Sequence, residues 1–349
     1  MSTLAKLWKD PLAKVSMVLI GLAFFISIFG YVLAPDSTEN ANVMSLPLAQ
    51  KPMGFSVDVI VVSEEVSHSF WDYFTGQKFR GSVIPVTEYH EANGFIEYAE
   101  YVGEGVEGPS GKLLLSDKVS VQHKTFWLGT DRFGRDLLSR LILGTRVSLS
   151  VGFISVFISL LVGIPLGLLA GFYRGRVDAF IMWLINVIWS IPTLLMVIAL
   201  TLALGKGFWQ VFVAVGLTMW VEVARVVRGQ VLSLREREFV EAARVLGFSD
   251  FRIMAKHILP NALAPVIVIS AANFAAAILI ESGLSFLGIG AQPPMASWGT
   301  MIKDHYPFLI MGKPHLALLP GLCIMLLVLS FMLIGNGLRD ALDVRKTSS

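Results

Sequence analysis

The chain is short of cysteine, of charge and of clustered histidine. Its one cysteine in 349 residues, Cys323, stands inside an apolar run. That excludes a disulfide framework and a cysteine-built zinc site, and the thiol reads as a small core residue. The six histidines (His68, His90, His123, His257, His305, His315) read as loop residues without H-x-x-x-H spacing, so no metal centre is expected. No G-x-x-x-x-G-K-S/T loop occurs, which excludes ATP binding of that kind. No nucleophile, base and orienting group form a catalytic pattern. The chain is therefore expected to be non-catalytic and to carry no cofactor of its own. With 15% charged residues and a net charge of +2, it also lacks the basic field of a nucleic-acid binder.

Hydrophobicity is what it has in excess. Apolar residues make up 54% of the chain and the mean hydropathy is +0.67, beyond the range of a soluble globular protein. Uncharged stretches of about 18 residues or more, enough to cross a bilayer, occur at Val15–Ala34, Val147–Tyr173, Ala179–Gly205, Ala262–Ile280 and Leu316–Leu338. Gly207–Ala224 makes a sixth if Glu222 is tolerated near its end. Backbone groups in hydrocarbon must pair internally, so the spans are helices. The first is too long, and lacks the small-x-small site, for a cleaved signal; it reads as an anchor.

Positive charge orients the bundle. Lys6, Lys9 and Lys14 precede the first span, and Arg174 and Arg176 follow the second. Arg225, Arg228, Arg235, Arg237, Arg244, Arg252 and Lys256 lie between the fourth and fifth, and Arg339, Arg345 and Lys346 follow the sixth. The short loops opposite hold only Lys206, Lys303 and Lys313. Both termini are expected in the cytoplasm. Outside, residues 36–127 form an insertion of soluble character; over 36–128 there are 13 Asp or Glu against 6 Lys or Arg. Alternation at Phe55, Val57, Val59 and Val61 predicts a strand, and glycine with proline around Gly103–Gly111 a turn. A small α+β domain is expected there. The chain thus divides into 1–35, 36–127 and a membrane core at 128–349, with a cytoplasmic loop at 229–261.

That loop carries the most informative segment, Glu241–Pro260 (EAARVLGFSDFRIMAKHILP). Arg235–Leu246 is built of helix formers with Phe239, Ala242, Ala243 and Leu246 at spacings of three and four. Gly247 stands where a left-handed cap ends a helix. Ser249 and Asp250 can cap a second helix starting at Phe251, limited by Pro260. Two short helices around a bend are expected, with Ala242 and Ala243 leaving room for another protein's groove. An amphipathic interfacial anchor is the plainer alternative.

The EAA triplet, Gly247 after three intervening residues, and Leu259-Pro260 together resemble the EAA loop of binding-protein-dependent ABC importer permeases. His257 replaces the isoleucine of the general pattern, and HILPN at His257–Asn261 is similar to the peptide-importer branch. Leu128–Leu149 (LGTDRFGRDLLSRLILGTRVSL) and Glu281–Gly290 (ESGLSFLGIG), with Pro293-Pro294 and Trp298-Gly299, resemble the C-type permease of dipeptide, oligopeptide and nickel importers. The resemblance covers about two-thirds of the chain and implies the six-helix type I ABC importer fold. It implies that Glu241, Ala242, Ala243, Gly247, Leu259 and Pro260 couple the chain to an ATPase. Implied partners are a homologous B-type permease subunit, two ATP-binding subunits that hold the ATP and Mg, and an extracytoplasmic substrate-binding protein. The implied place is a bacterial inner membrane. Nickel or another small solute is the alternative cargo to peptides. A secondary transporter would need inverted repeats and buried ionisable groups.

Within the spans, polar residues mark a bundle interior or cavity. Asn186, Asn273, Glu281 and Ser282 are the candidates for the translocation path, with helix packing or capping the alternative for Glu281. Ser190 and Glu222 are further polar positions, and Glu222 is spaced to pair with Arg225. Pro165 and Pro192 are expected to break or bend their helices. Gly163, Gly167 and Gly171, four apart, permit close helix contact. Arg132, Arg135 and Asp136 begin an amphipathic stretch whose charges read as solvated on the outer membrane surface, or as a contact for partner proteins near the pore mouth.

Overall fold

A computed structural model describes residues 7–63, 69–116, 118–205 and 207–342. Lys6, His68, Lys206, Arg345 and Lys346 lie outside the described residues. Two compact units emerge: a helical unit (1–23, 148–292 and 324–349) and a sheet unit (24–147 and 293–323).

The helices, in chain order, are α1 (Pro11–Leu33), the short α2 (Asp72–Thr75), α3 (Leu137–Tyr173), α4 (Gly175–Trp189), α5 (Thr193–Leu204), α6 (Phe208–Leu234), α7 (Glu238–Val245), α8 (Asp250–Arg252), α9 (Leu259–Phe286), α10 (Trp298–His305) and α11 (His315–Leu342). Among the described residues five helical runs are long and apolar enough to cross a membrane. The bent pair α4–α5 makes a sixth if it is one span. The fold is thus a mostly helical polytopic membrane protein with a small sheet inserted after α1, the class expected.

Proline acts unevenly on these spans. Between α4 and α5 the axis turns by 91° at Pro192, where the ring removes a donor and blocks the preceding turn. Pro165, by contrast, lies within an unbroken α3.

Within the helical unit, α3 and α6 approach closely along the glycine stripe. A β-carbon on Gly163 would come within 2.7 Å of the Trp220 carbonyl oxygen and of Val223 Cβ. On Gly167 it would lie 2.6 Å from the Ala224 oxygen, and on Gly171 2.7 Å from Val231 Cβ. Val223, Val227 and Val231 are consequently fully buried.

In the sheet unit, β1 (Phe55–Ser63), β2 (Gly81–Ala92), β3 (Phe95–Glu100), β4 (Ser110–Leu114) and β5 (Val119–Phe126) form one antiparallel sheet in the order β4-β3-β2-β1-β5. The alternation on β1 sends Val57, Val59 and Val61 to one face with Leu48, Tyr101 and Phe126, while Ile60 joins Val86 and Ile96 on the other. The strand at Phe55–Val61 is where the alternation placed it, and the glycine-rich turn joins β3 to β4.

The charges at the start of α3 are not solvated. Arg135 and Asp131 form a buried ion pair, Nε to Oδ2 at 2.6 Å. Arg135 Nη1 also donates to Asn42 Oδ1 at 3.0 Å, and Arg140 Nη1 and Nη2 donate to the carbonyls of Asn40 and Met295 at 3.1 and 3.3 Å. Only Arg132 stays exposed, paired with Asp304 at 3.1 Å. Amphipathic spacing set these charges off the leucine face. Here the 40–48 and 293–305 segments fold over that second face and supply oxygen acceptors to Arg135 and Arg140, the pairing that buried cations demand.

The histidines also differ from expectation. His90 and His123 lie in β2 and β5, His257 in a helical turn, His305 at the end of α10 and His315 at the start of α11.

Candidate functional site

Helix α7 is seated by two residues. Val240 and Ala243 are buried against Phe172, Val231, Ile253 and Ile258, and Arg244 lies 5.5 Å above the Phe172 ring. Phe239 and Leu246, which the spacing groups with the two alanines, are exposed. The helix is two turns long, and its docked stripe runs through Val240 and Ala243. Ala243 is therefore unavailable to a partner, while Glu241, Ala242 and Gly247 face outward.

Gly247 closes the helix in the left-handed region, at φ +72°. The Phe248 N–H donates to the Ala243 carbonyl at 3.1 Å and the Gly247 N–H to the Arg244 carbonyl at 2.9 Å. These two bonds define a Schellman turn. Phe248 folds back onto the same core, stacked on His257 at 5.7 Å with Arg252 4.2 Å above it. The bend is thus fixed, and it displays apolar side chains: Val245, Leu246 and Phe251 are 89%, 70% and 77% exposed.

Beyond the bend the second helix does not stop at Pro260. Asp250–Arg252 passes into a π-helical segment, Ile253–Ile258, and then into α9. The Leu259 N–H reaches back five residues to the Met254 carbonyl. This widened turn shifts the bonding register just before Pro260, whose missing N–H then falls in the first turn of α9, where it is tolerated. Ser249 makes no side-chain cap bond. Leu259 is half-buried and Pro260 exposed, so both sit at the start of a long apolar helix rather than at the end of a short one.

Two ion pairs brace the neighbourhood. Arg228 grips Asp178 through Nε and Nη2 at 2.5 and 2.7 Å, and Arg174 pairs with Glu236 at 2.5 Å. Arg225 does not pair with Glu222. Its guanidinium stacks 3.9 Å above the Trp189 ring, a competing partner for a cation. Glu222 instead lines a small cavity with Trp189, Thr218 and Met219.

The four intramembrane candidates separate. Asn186 is exposed on α4. Asn273, Glu281 and Ser282 are buried along α9, at 1%, 1% and 8% exposure. Asn273 Nδ2 and Ser282 Oγ have no partner among the described residues. The Ser285 hydroxyl donates to Glu281 Oε1 at 2.6 Å and accepts the Ala291 N–H at 3.0 Å. A β-carbon on Gly290 would collide with that hydroxyl. The ESGLSFLGIG segment therefore encodes a closed turn at the end of α9. This is the packing and capping alternative that the sequence left open for Glu281.

With this geometry in view, the comparison with known families is decisive. Residues 163–348, more than half of the chain, match the model of the binding-protein-dependent transport system inner membrane component. The chain belongs to that family. It is a multi-pass inner-membrane permease subunit. It is 42% identical over 222 residues to the glutathione transport system permease protein GsiD of Pectobacterium atrosepticum, covering 64% of this chain and 73% of that one. The dipeptide transport system permease protein DppC of Alkalihalophilus pseudofirmus is 44% identical with the same coverage. The oligopeptide transport system permease protein OppC of Bacillus subtilis is 40% identical over 231 residues, 66% and 75% of the two chains. The family match begins inside α3 and leaves out the whole sheet.

Proposed function

We propose that this chain is half of the translocation pathway of an ATP-driven peptide importer, non-catalytic itself, and that the α7–Gly247–α8 bend is where an ATPase grips it. The observation that carries the reading is the rigid Schellman turn, with Val245, Leu246 and Phe251 bared beside an exposed Glu241. Exposed apolar side chains rimmed by charge mark a protein contact. The kinship with dipeptide, oligopeptide and glutathione permeases supports a peptide cargo. In the assembly we envisage, a B-type permease completes the pathway and an extracytoplasmic binding protein delivers the peptide. Two ATP-binding subunits hold ATP and Mg below the bend, on the side of both termini. Asn186, exposed on α4, is our candidate for the path, with Asn273, Glu281 and Ser282 behind it on α9.

The test is peptide uptake by variants of the bend. No atom lies within 4 Å of a β-carbon on Gly247, so Gly247→Val strains only the backbone. Glu241→Lys reverses an exposed charge. Both variants should insert at wild-type levels and lose uptake, while the ATPase continues slow, uncoupled hydrolysis. Normal uptake by both would show that the bend is only an interfacial anchor.

A further inference from the structure

The sheet unit holds two adjoining cavities, of about 260 and 330 Å³, that share Pro35, Asp36, Val43, Val83, Gln122 and Lys124. Their floor is one face of the sheet, where Val59 pairs with Gln122 and Val61 with Val83. Asp136 lines the first cavity, and Lys78 and Arg80 line the second.

Asp136 is the informative residue, for it is only 5% exposed. Its Oδ2 is committed to α3, accepting the Ser139 N–H at 2.8 Å and the Ser139 hydroxyl. Its Oδ1 is buried without a donor among the described residues. Asp36 lines the same cavity, and its Oδ1 accepts the Thr38 N–H at 3.0 Å. Two neighbouring carboxylates repel and favour a cation between them. Among the described residues no third ligating group completes a metal cluster, so an ammonium fits better than a hard metal ion, which wants more oxygens. Lys124 is shared by the two cavities, and Lys78 and Arg80 lie further along, in the second. None of these five charged groups forms an ion pair with another. Opposite charges kept apart over an apolar floor complement a small molecule that carries both signs.

We propose that this groove binds a zwitterionic amino acid or short peptide. Its ammonium lies at Asp136 and Asp36, its carboxylate towards Lys124, Lys78 and Arg80, and its side chain on the valine floor. The site rests on the peptide reading above only for the kind of zwitterion. It gives the sheet unit a ligand of its own, separate from the bend.

Calorimetric titration of the purified full-length chain in nanodiscs, without ATPase or binding protein, tests this. Dialanine should bind, and N-acetyl-dialanine amide, which carries neither charge, should bind at least tenfold more weakly. Asp136→Asn, which keeps an oxygen to accept from Ser139, should weaken dialanine at least tenfold. The double variant Lys78→Ala/Arg80→Ala, at exposed positions, should weaken it three- to tenfold with unchanged thermal unfolding. Equal binding of the two compounds, or of dialanine to wild type and both variants, overturns the proposal. Putrescine binding as tightly as dialanine would make this a plain cation site and overturn it too. The titration involves no transport, so its failure leaves the permease reading intact. Normal uptake by the bend variants would leave the titration unaffected.

Discussion

At the residue scale, small side chains and buried polar ones decide how these elements pack. The stripe of glycines on α3 was legible because four-residue spacing puts them on one helix face. What they touch, the backbone and valines of α6, was not. Gly167→Ala would place a carbon 2.6 Å from the Ala224 oxygen, and overpacking of this kind costs about 1–3 kcal/mol. A β-carbon at Gly229 meets nothing within 4 Å, so Gly229→Ala should be neutral or stabilising by up to about 1 kcal/mol. Thermal unfolding in detergent should separate the two variants. His305 makes a second case. Its Nδ1–H donates to the Met301 carbonyl at 2.6 Å, while Nε2 accepts the Arg132 N–H at 3.3 Å. Burial holds the imidazole below the usual histidine pKa. The unfolded chain therefore takes up the proton first. This contribution to stability is complete above about pH 6.5 and is lost as the pH falls below it through the lower folded-state pKa. Unfolding temperatures of wild type should drop between pH 7 and 5.5 more than those of His305→Gln.

At the scale of elements, the sequence indicated the spans and the left-handed turn at Gly247, because apolar length and glycine chemistry are local. It did not indicate what lies beyond the turn. Pro260 read as a stop, yet a π turn at Ile253–Ile258 carries the helix through it. Nor could spacing alone tell that Arg135 and Asp136 are covered, since a helix face can be polar either for water or for buried partners. The seating of α7 follows from the same packing. Val240 is fully buried, and Val240→Ala deletes two methyl groups at a cost of about 2 kcal/mol. Such a loss loosens α7 without altering any outward-facing residue. Limited proteolysis near Arg237 and Arg244 should accelerate, and uptake should fall. Unchanged protease sensitivity would mean that α7 is held by something other than Val240 and Ala243.

At the scale of the whole molecule, the disposition of charge predicts which face lies inside the cell. Orientation follows Lys and Arg counts rather than net charge, so the ion pairs Arg228–Asp178 and Arg174–Glu236 do not weaken the bias of the segment that also holds Arg235, Arg237, Arg244, Arg252 and Lys256. With six crossings, that bias predicts both ends on the same side and the insertion after the first span opposite. Ser110, in β4, and Ser249, after the bend, are both exposed, which makes them suitable reporters. With Cys323 replaced by serine, cysteine at position 110 should react with a membrane-impermeant maleimide in intact cells. Cysteine at position 249 should react only after the cells are opened. The reverse pattern would place the bend outside, beyond the reach of any cytoplasmic ATPase, and would refute the proposed coupling whatever the bend variants do to uptake.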